Sequence, residues 1–178
     1  MIKKTPKISD RTHRLFLALW PEATLQNAIK RLWDEGNWST GAAQVPVESF
    51  HLTLHFLGNV PDSALSELVH GLKVAIHPFD LVFSRSCVWP QGVVMLEPDL
   101  VPDNLLKLHA SLAEKIWNLG LSTEALAFRP HITLARHEID TSLIYSLDKP
   151  IRWHVREYVL VKSEQTSKSK YHVLQTYY

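Results

Sequence analysis

His51-Leu52-Thr53-Leu54 and His131-Ile132-Thr133-Leu134 are two copies of one pattern, His-x-Thr-Leu, one in each half of the chain. In a β-strand successive side chains point to opposite faces. Each copy then turns a His and a Thr to one side and two aliphatic residues to the other. An imidazole takes or gives a proton near neutral pH. Two of them in opposite protonation states could activate a nucleophile and protonate a leaving group in a single displacement, each transfer worth ~10²–10⁴ in rate. The two Thr hydroxyls could donate to phosphoryl oxygens and hold the phosphorus between the imidazoles. Phosphoryl transfer depends mainly on such positioning and charge stabilisation.

A single His-x-Thr-Leu would be weak, because a lone strand His is more often packed or solvated than catalytic. Two copies in similar contexts reverse that judgement. His51, Thr53 and His55 are expected on one strand face, so His51, His55 and His131 form an alternative three-His metal site. The repeated Thr, which a metal site does not require, favours proton transfer. Arg136 lies five residues beyond His131, so a regular strand turns it to the opposite face. A bulge or turn after Leu134 is needed to bring it round. Arg14 and Arg85 could be phosphate contacts, but a solvated or ion-paired role is the commoner one for such cations. No Gly-rich phosphate loop, nucleophile elbow or Cys pair is present.

The elements that must carry these residues follow from periodicity. Arg14–Trp20 reads as a buried strand. A helix opens at Pro21 with the stripe Leu25, Ile29, Leu32 and Trp33, and ends at Gly36. Phe50–Leu57 is the first motif strand, ended by Gly58-Asn59. A second helix from Pro61-Asp62, capped by Asp62, carries Leu65, Leu68, Val69, Leu72 and Ile76. Phe79–Arg85 and Val93–Glu97 are strands joined through a turn at Gln91-Gly92. A third helix from Pro102-Asp103 carries Leu105, Leu108, Leu112, Ile116 and Leu119, with Gly120 past its end. Arg129–Arg136 is the second motif strand, and Ile151–Lys162 reads as one further strand. Ser167–Lys170 is a turn, and Tyr171–Tyr178 its hairpin partner. Interleaved helices with several consecutive strands predict an α+β fold with antiparallel sheet.

The 178 residues suffice for one domain with a sizeable core. The formal net charge of +1 forces no nucleic-acid partner and argues against a long RNA footprint. A single Cys, Cys87, forms no intramolecular disulfide and fits a reducing compartment. No apolar run reaches membrane-spanning length, and residues 1–12 have no signal-peptide character. A soluble cytoplasmic monomer is the expectation, with a flexible tail over 1–12 and one domain over 13–178.

The paired motifs in their flanks resemble the 2H phosphoesterase superfamily, and within it the RNA 2′,3′-cyclic phosphodiesterase branch, historically called 2′-5′ RNA ligase. The flanks are Arg14–Leu19, Phe50–Gly58, Phe128–Arg136, Lys162-Ser163-Glu164 and Tyr171–Leu174. The resemblance implies a bilobal fold: two pseudo-symmetric lobes with antiparallel sheets around a central cleft, helices outside. It implies opening of a ribose 2′,3′-cyclic phosphate to a 2′-phosphomonoester. His131 matches the proton acceptor that activates water, and His51 the donor to the departing 3′-oxygen. Thr53 and Thr133 match the phosphate-binding hydroxyls, and Arg136 a basic residue after the second motif. No metal or cofactor is implied. The partner is an RNA end or a small cyclic nucleotide. Some members also join RNA ends through a 2′-5′ linkage. Ser86–Pro98 follows the family loosely. The rival reading is a nucleotide- or RNA-end-binding module without catalysis, or an enzyme for another cyclic or 2′-5′ phosphodiester.

Overall fold

The computed structural model describes residues 11–123, 127–141, 144–164 and 170–178. In chain order its elements are β1 (Thr12–Leu19), α1 (Ala23–Glu35), β2 (Ala43–Gln44), β3 (Leu52–Pro61), α2 (Leu65–Gly71), β4 (Phe79–Trp89) and β5 (Val93–Leu96). They continue with α3 (Asp103–Asn118), β6 (Ile132–Arg136), β7 (Ile144–Val155), β8 (Tyr158–Glu164) and β9 (Lys170–Tyr177). The strands form one sheet in the order β7-β4-β5-β6-β3-β1-β8-β9, with β2 beside β6. Every pairing is antiparallel.

Two lobes are visible in that order. β9, β8, β1 and β3 make one half, and β6, β5, β4 and β7 the other. The halves meet where Leu52 of β3 pairs with Ile132 of β6. Both of these residues are fully buried in the main core, so one apolar interior runs beneath the seam. Burying each such side chain stabilises by about 1.5–3 kcal/mol.

The helices lie outside, as expected. On α1 the stripe buries Leu25, Ile29 and Leu32, and the helix is tied to β7 where Tyr145 Oη donates to the Glu35 carbonyl, 3.1 Å. On α3 it buries Leu105, Leu108, Leu112 and Ile116. Gly120, at φ +74°, follows α3, and the Leu121 N–H returns to the Ile116 carbonyl at 3.1 Å. A second, smaller apolar cluster of Phe16, Ala18, Val159 and Val161 lies apart from the main core, flanked by Trp20 and Tyr171.

Several expectations change. Gly58 does not end its strand: it sits inside β3 at φ +71°, where the β1 register shifts between Leu15 and Phe16. Glycine in a strand commonly marks such a bulge. The second helix stops at Gly71, leaving Leu72 and Ile76 beyond it. Tyr158 draws the chain away there, its hydroxyl donating to the Leu72 carbonyl (2.9 Å) and accepting from the Val74 N–H (2.7 Å). Asp62 does not cap that helix; its carboxylate meets His13 Nε2 at 2.7 Å. Ile151–Lys162 is the end of β7 and most of β8, separated at Arg156-Glu157.

The hairpin of β8 and β9 forms as expected, while residues 167–169 of the expected turn and 1–10 of the expected tail fall outside the described residues. Thr12, assigned to that tail, is the first residue of β1 and pairs with Pro61. Among the described residues no helix is long and apolar enough to cross a membrane.

Candidate active site

His51 and His131 each sit one residue before a strand, at the seam. The antiparallel pair Leu52–Ile132, continued by one residue, sets His51 level with Thr133 and Thr53 level with His131. All four are half-buried and lie on the face opposite the buried Leu52 and Ile132. The two His, and likewise the two Thr, are then diagonal neighbours, which are about 7–8 Å apart in a regular sheet.

The two imidazoles are held in the same way. His51 Nδ1–H donates to the Ser49 carbonyl at 2.6 Å, and His131 Nδ1–H to the Arg129 carbonyl at 2.7 Å. Each acceptor lies two residues upstream, and each chain segment reaches it through a proline. Pro46 leads into a 3₁₀ turn over Val47–Ser49, and Pro130 separates Arg129 from His131. With Nδ1 committed as donor, Nε2 of each ring is left to exchange a proton with a ligand.

The two motif strands also carry the same irregularity. Ala18 pairs with Thr53 but Leu17 with His55, so Leu54 is an extra residue. Met95 pairs with Thr133 but Val94 with Ala135, so Leu134 is extra. A bulge shifts the alternation by one position. Leu134 and Ala135 both turn to the core, and Arg136 returns, exposed, to the face of His131 and Thr133. That is the condition the sequence set for Arg136. Phe56 returns in the equivalent place after Thr53 and meets Phe16 at 6.0 Å.

His55 goes the other way, and this corrects the sequence reading. The Leu54 bulge turns it from the face of His51 and Thr53 to the helix side. There it lies buried, its Nε2–H donating to the His109 carbonyl at 2.9 Å and its ring stacked on His109 at 3.9 Å. The three-His set of His51, His55 and His131 is therefore not assembled, and among the described residues no three His, Cys, Asp or Glu side chains converge.

Aromatic rings back both histidines. Trp20 stacks on His51 with ring centroids 5.2 Å apart and planes 4° from parallel. Phe16 and Tyr171 meet the same imidazole at 5.0 and 5.3 Å. This burial pulls His51 down from the usual histidine value to about 4; the Ser49 carbonyl opposes the shift and the nearby His131 adds to it. Against His131 lies Trp89, 4.9 Å between centroids. The Arg129 guanidinium sits over Trp89 at 4.4 Å and is paired with Glu97, Nε to Oε1 at 2.5 Å and Nη2 to Oε2 at 3.1 Å. Trp20, Trp89 and Glu97 had no signal in the sequence, since no local pattern points to any of them.

The loop after Arg136 is anchored. The buried Glu138 carboxylate accepts from the Ser39 hydroxyl, from the Ser39 N–H at 2.9 Å and from the Asp140 N–H at 3.0 Å. These donors hold Glu138 below the usual carboxylate range despite its burial. A cavity of 1090 Å³ lies beyond Trp20, between α1 and β7, and contains neither His51 nor His131. The four motif side chains lie instead on the open face at the seam.

The 2′-5′ RNA ligase superfamily model matches residues 21–167. The chain is 26% identical to the RNA 2′,3′-cyclic phosphodiesterase of Methanocaldococcus jannaschii over 69% of this chain and 70% of that one. It is 28% identical to the RNA 2′,3′-cyclic phosphodiesterase of Archaeoglobus fulgidus over 69% of this chain and 72% of that one. The crystal structure of E. coli LigT complexed with 3′-AMP superposes with a TM-score of 0.83 at 25% identity, covering 93% of this chain and 97% of LigT.

Proposed function

The chain belongs to the 2′-5′ RNA ligase superfamily, and from that premise we propose that it hydrolyses the 2′,3′-cyclic phosphate at an RNA or nucleotide end to a 2′-phosphomonoester. The observation that carries the reading is the pair of imidazoles set about Leu52–Ile132, each with Nδ1 tied to a carbonyl and Nε2 left for chemistry.

In the reaction, His131 Nε2 takes a proton from water as the water oxygen bonds to phosphorus. The bond from phosphorus to the 3′-oxygen breaks, and His51 Nε2–H protonates that oxygen. The Thr53 and Thr133 hydroxyls donate to the non-bridging oxygens, and Arg136 offsets their charge. An imidazolium is required at His51, and burial alone keeps it neutral at neutral pH. The phosphate anion placed against Nε2 favours the charged form and opposes that effect. The near two-fold arrangement suits reversal, and a 5′-hydroxyl in the place of water would give a 2′-5′ linkage.

The test is turnover of an oligoribonucleotide ending in a 2′,3′-cyclic phosphate, with the product resolved as 2′- or 3′-phosphate, in the presence and absence of EDTA. A 2′-phosphate product at undiminished rate in EDTA supports the reading. Tight binding without product would overturn it in favour of a binding module, and chelator-sensitive turnover restored by zinc would favour a metal.

A further inference from the structure

Arg85 stands on the same wall of the cleft as His131. The registers align Cys87 with Met95 and Met95 with Thr133. They likewise align Ser86 with Leu96 and Leu96 with Ile132. Continued by one residue, the same registers put Arg85 of β4, Glu97 just past β5 and His131 just before β6 in one row. Two strand spacings separate the backbones of Arg85 and His131 by about 10 Å. Arg85 is exposed and has no carboxylate partner among the described residues.

The carboxylate between them is already matched. Glu97 is bound by Arg129 and accepts from Cys87 Sγ at 3.3 Å. The Cys87 thiol, raised to about 11 by burial and by Glu97, adds no negative charge, and it feels the positive charges of both Arg129 and Arg85. Arg85, Cys87 and Trp89 alternate along β4 with the buried Ser86 and Val88, which puts the Arg85 side chain on this wall. Arg129 and Glu97 cancel, so the row presents one uncompensated cation a nucleotide step from the catalytic imidazole.

We propose that Arg85 forms a second phosphate subsite that takes the phosphate on the 5′ side of the terminal nucleotide, so that the preferred substrate is the end of an RNA strand rather than a free cyclic nucleoside phosphate. The inference rests on the proposed hydrolysis and adds its substrate class. A charge-assisted contact between guanidinium and phosphate is the kind of interaction arginine supplies well.

The experiment compares three substrates: a nucleoside 2′,3′-cyclic phosphate with a free 5′-hydroxyl, the same nucleotide with a 5′-phosphate, and a dinucleotide ending in the cyclic phosphate. Arg85→Ala lowers kcat/KM for the dinucleotide about tenfold, Arg85→Lys by less, and neither changes the 5′-hydroxyl substrate. The salt dependence of the dinucleotide reaction falls in slope by about 0.7, the value for one phosphate contact on a single strand. Arg152→Ala, which removes an exposed cation from the cavity beyond Trp20, leaves all three unchanged. If the 5′-phosphate mononucleotide loses as much as the dinucleotide, the site is a terminal-phosphate site and the preference for an RNA strand falls. An equal effect of Arg85→Ala on every substrate, or none on any, overturns the subsite. Should the wild type turn over no substrate, hydrolysis itself is wrong. Dinucleotide binding, weakened or not by Arg85→Ala, then decides the subsite alone.

Discussion

Leu52 pairs with Ile132 across the seam of the sheet, one residue beyond His51 and His131. Within the sheet this register position joins the lobes, and it also sets the spacing of the motif residues. The side chains of the pair are in the core, so the neighbours on either side of each must face the cleft. Packing and chemistry are thus coupled through adjacent residues. A force that keeps Leu52 against Ile132 also fixes how far apart the two imidazoles are held.

Removing either imidazole should abolish most of the rate without unfolding the protein. His51→Ala and His131→Ala are each expected to lower kcat on a cyclic-phosphate end by about 10²–10⁴. The double variant should be little worse than either single one, because residues acting as a unit are not additive. Single-turnover rates, with thermal melts as the control for folding, would check this. Near-wild-type turnover by either variant would remove that His from the reaction.

The pH dependence should distinguish the donor from the acceptor. With His51 near 4, the acid limb of kcat/KM, which reports the free protein, is expected near that value. It belongs to the coupled pair rather than to one ring. In kcat the limb should move up, since bound phosphate favours the His51 imidazolium. Histidine NMR titration with inorganic phosphate provides a direct reading. A His51 resonance whose midpoint does not rise on phosphate binding would assign the donor role to His131.

Glu97 should act through its neighbours. It fixes the Arg129 guanidinium over Trp89, while the Arg129 carbonyl holds His131 Nδ1 and Trp89 packs on the ring. Glu97→Gln removes the charge pair and loosens that support. We expect kcat to fall about tenfold with little change in KM, partial recovery in Glu97→Asp, and a displaced His131 ring resonance in the NMR spectrum. That fold-change matches the loss of one charge-assisted bond of about 1.5 kcal/mol. An unchanged kcat together with an unmoved His131 ring resonance would make the pair a surface feature.

Much of this was readable from the sequence because periodicity reports one-sided burial. Leu105, Leu108, Leu112 and Ile116 recur at helical spacing and are all buried on α3. Likewise Phe79, Leu81 and Phe83 alternate on β4. The bulges were not readable. Leu54-His55 and Leu134-Ala135 fit continued alternation as well as an inserted residue, and only the register against β1 and β5 decides. Hence alternation alone sets His55 on the wrong face and makes Arg136 conditional on an irregularity. The break at Arg156-Glu157 carries neither Gly nor Pro, the usual punctuation of a turn. Trp20, Trp89 and Glu97 reach the site through tertiary packing between distant segments.

Acid should destabilise the fold through the histidines that burial keeps neutral. His109 is lowered to about 4 by burial and by the charge of His55, and His55 is lowered mainly by burial. Their rings stack, and His109 stacks in turn on Phe128 at 3.9 Å. In the unfolded chain each would titrate near 6.5. Between that value and about 4 the unfolded state therefore binds more protons, and stability rises with pH. The full contribution is present above about 6.5 and is lost as pH falls toward 4. Urea midpoints measured from pH 7.5 to 4 should drop through that window. His109→Phe keeps a ring between His55 and Phe128 but removes one titrating group and the charge that disfavours protonated His55. Its stability at pH 7 should be lower, because the His109 bond to the Leu54 backbone is lost, while its slope between 6.5 and 4 should be shallower. A slope equal to that of the wild type would mean that the stacked pair does not sense pH, and that the acid sensitivity lies with His51 at the seam.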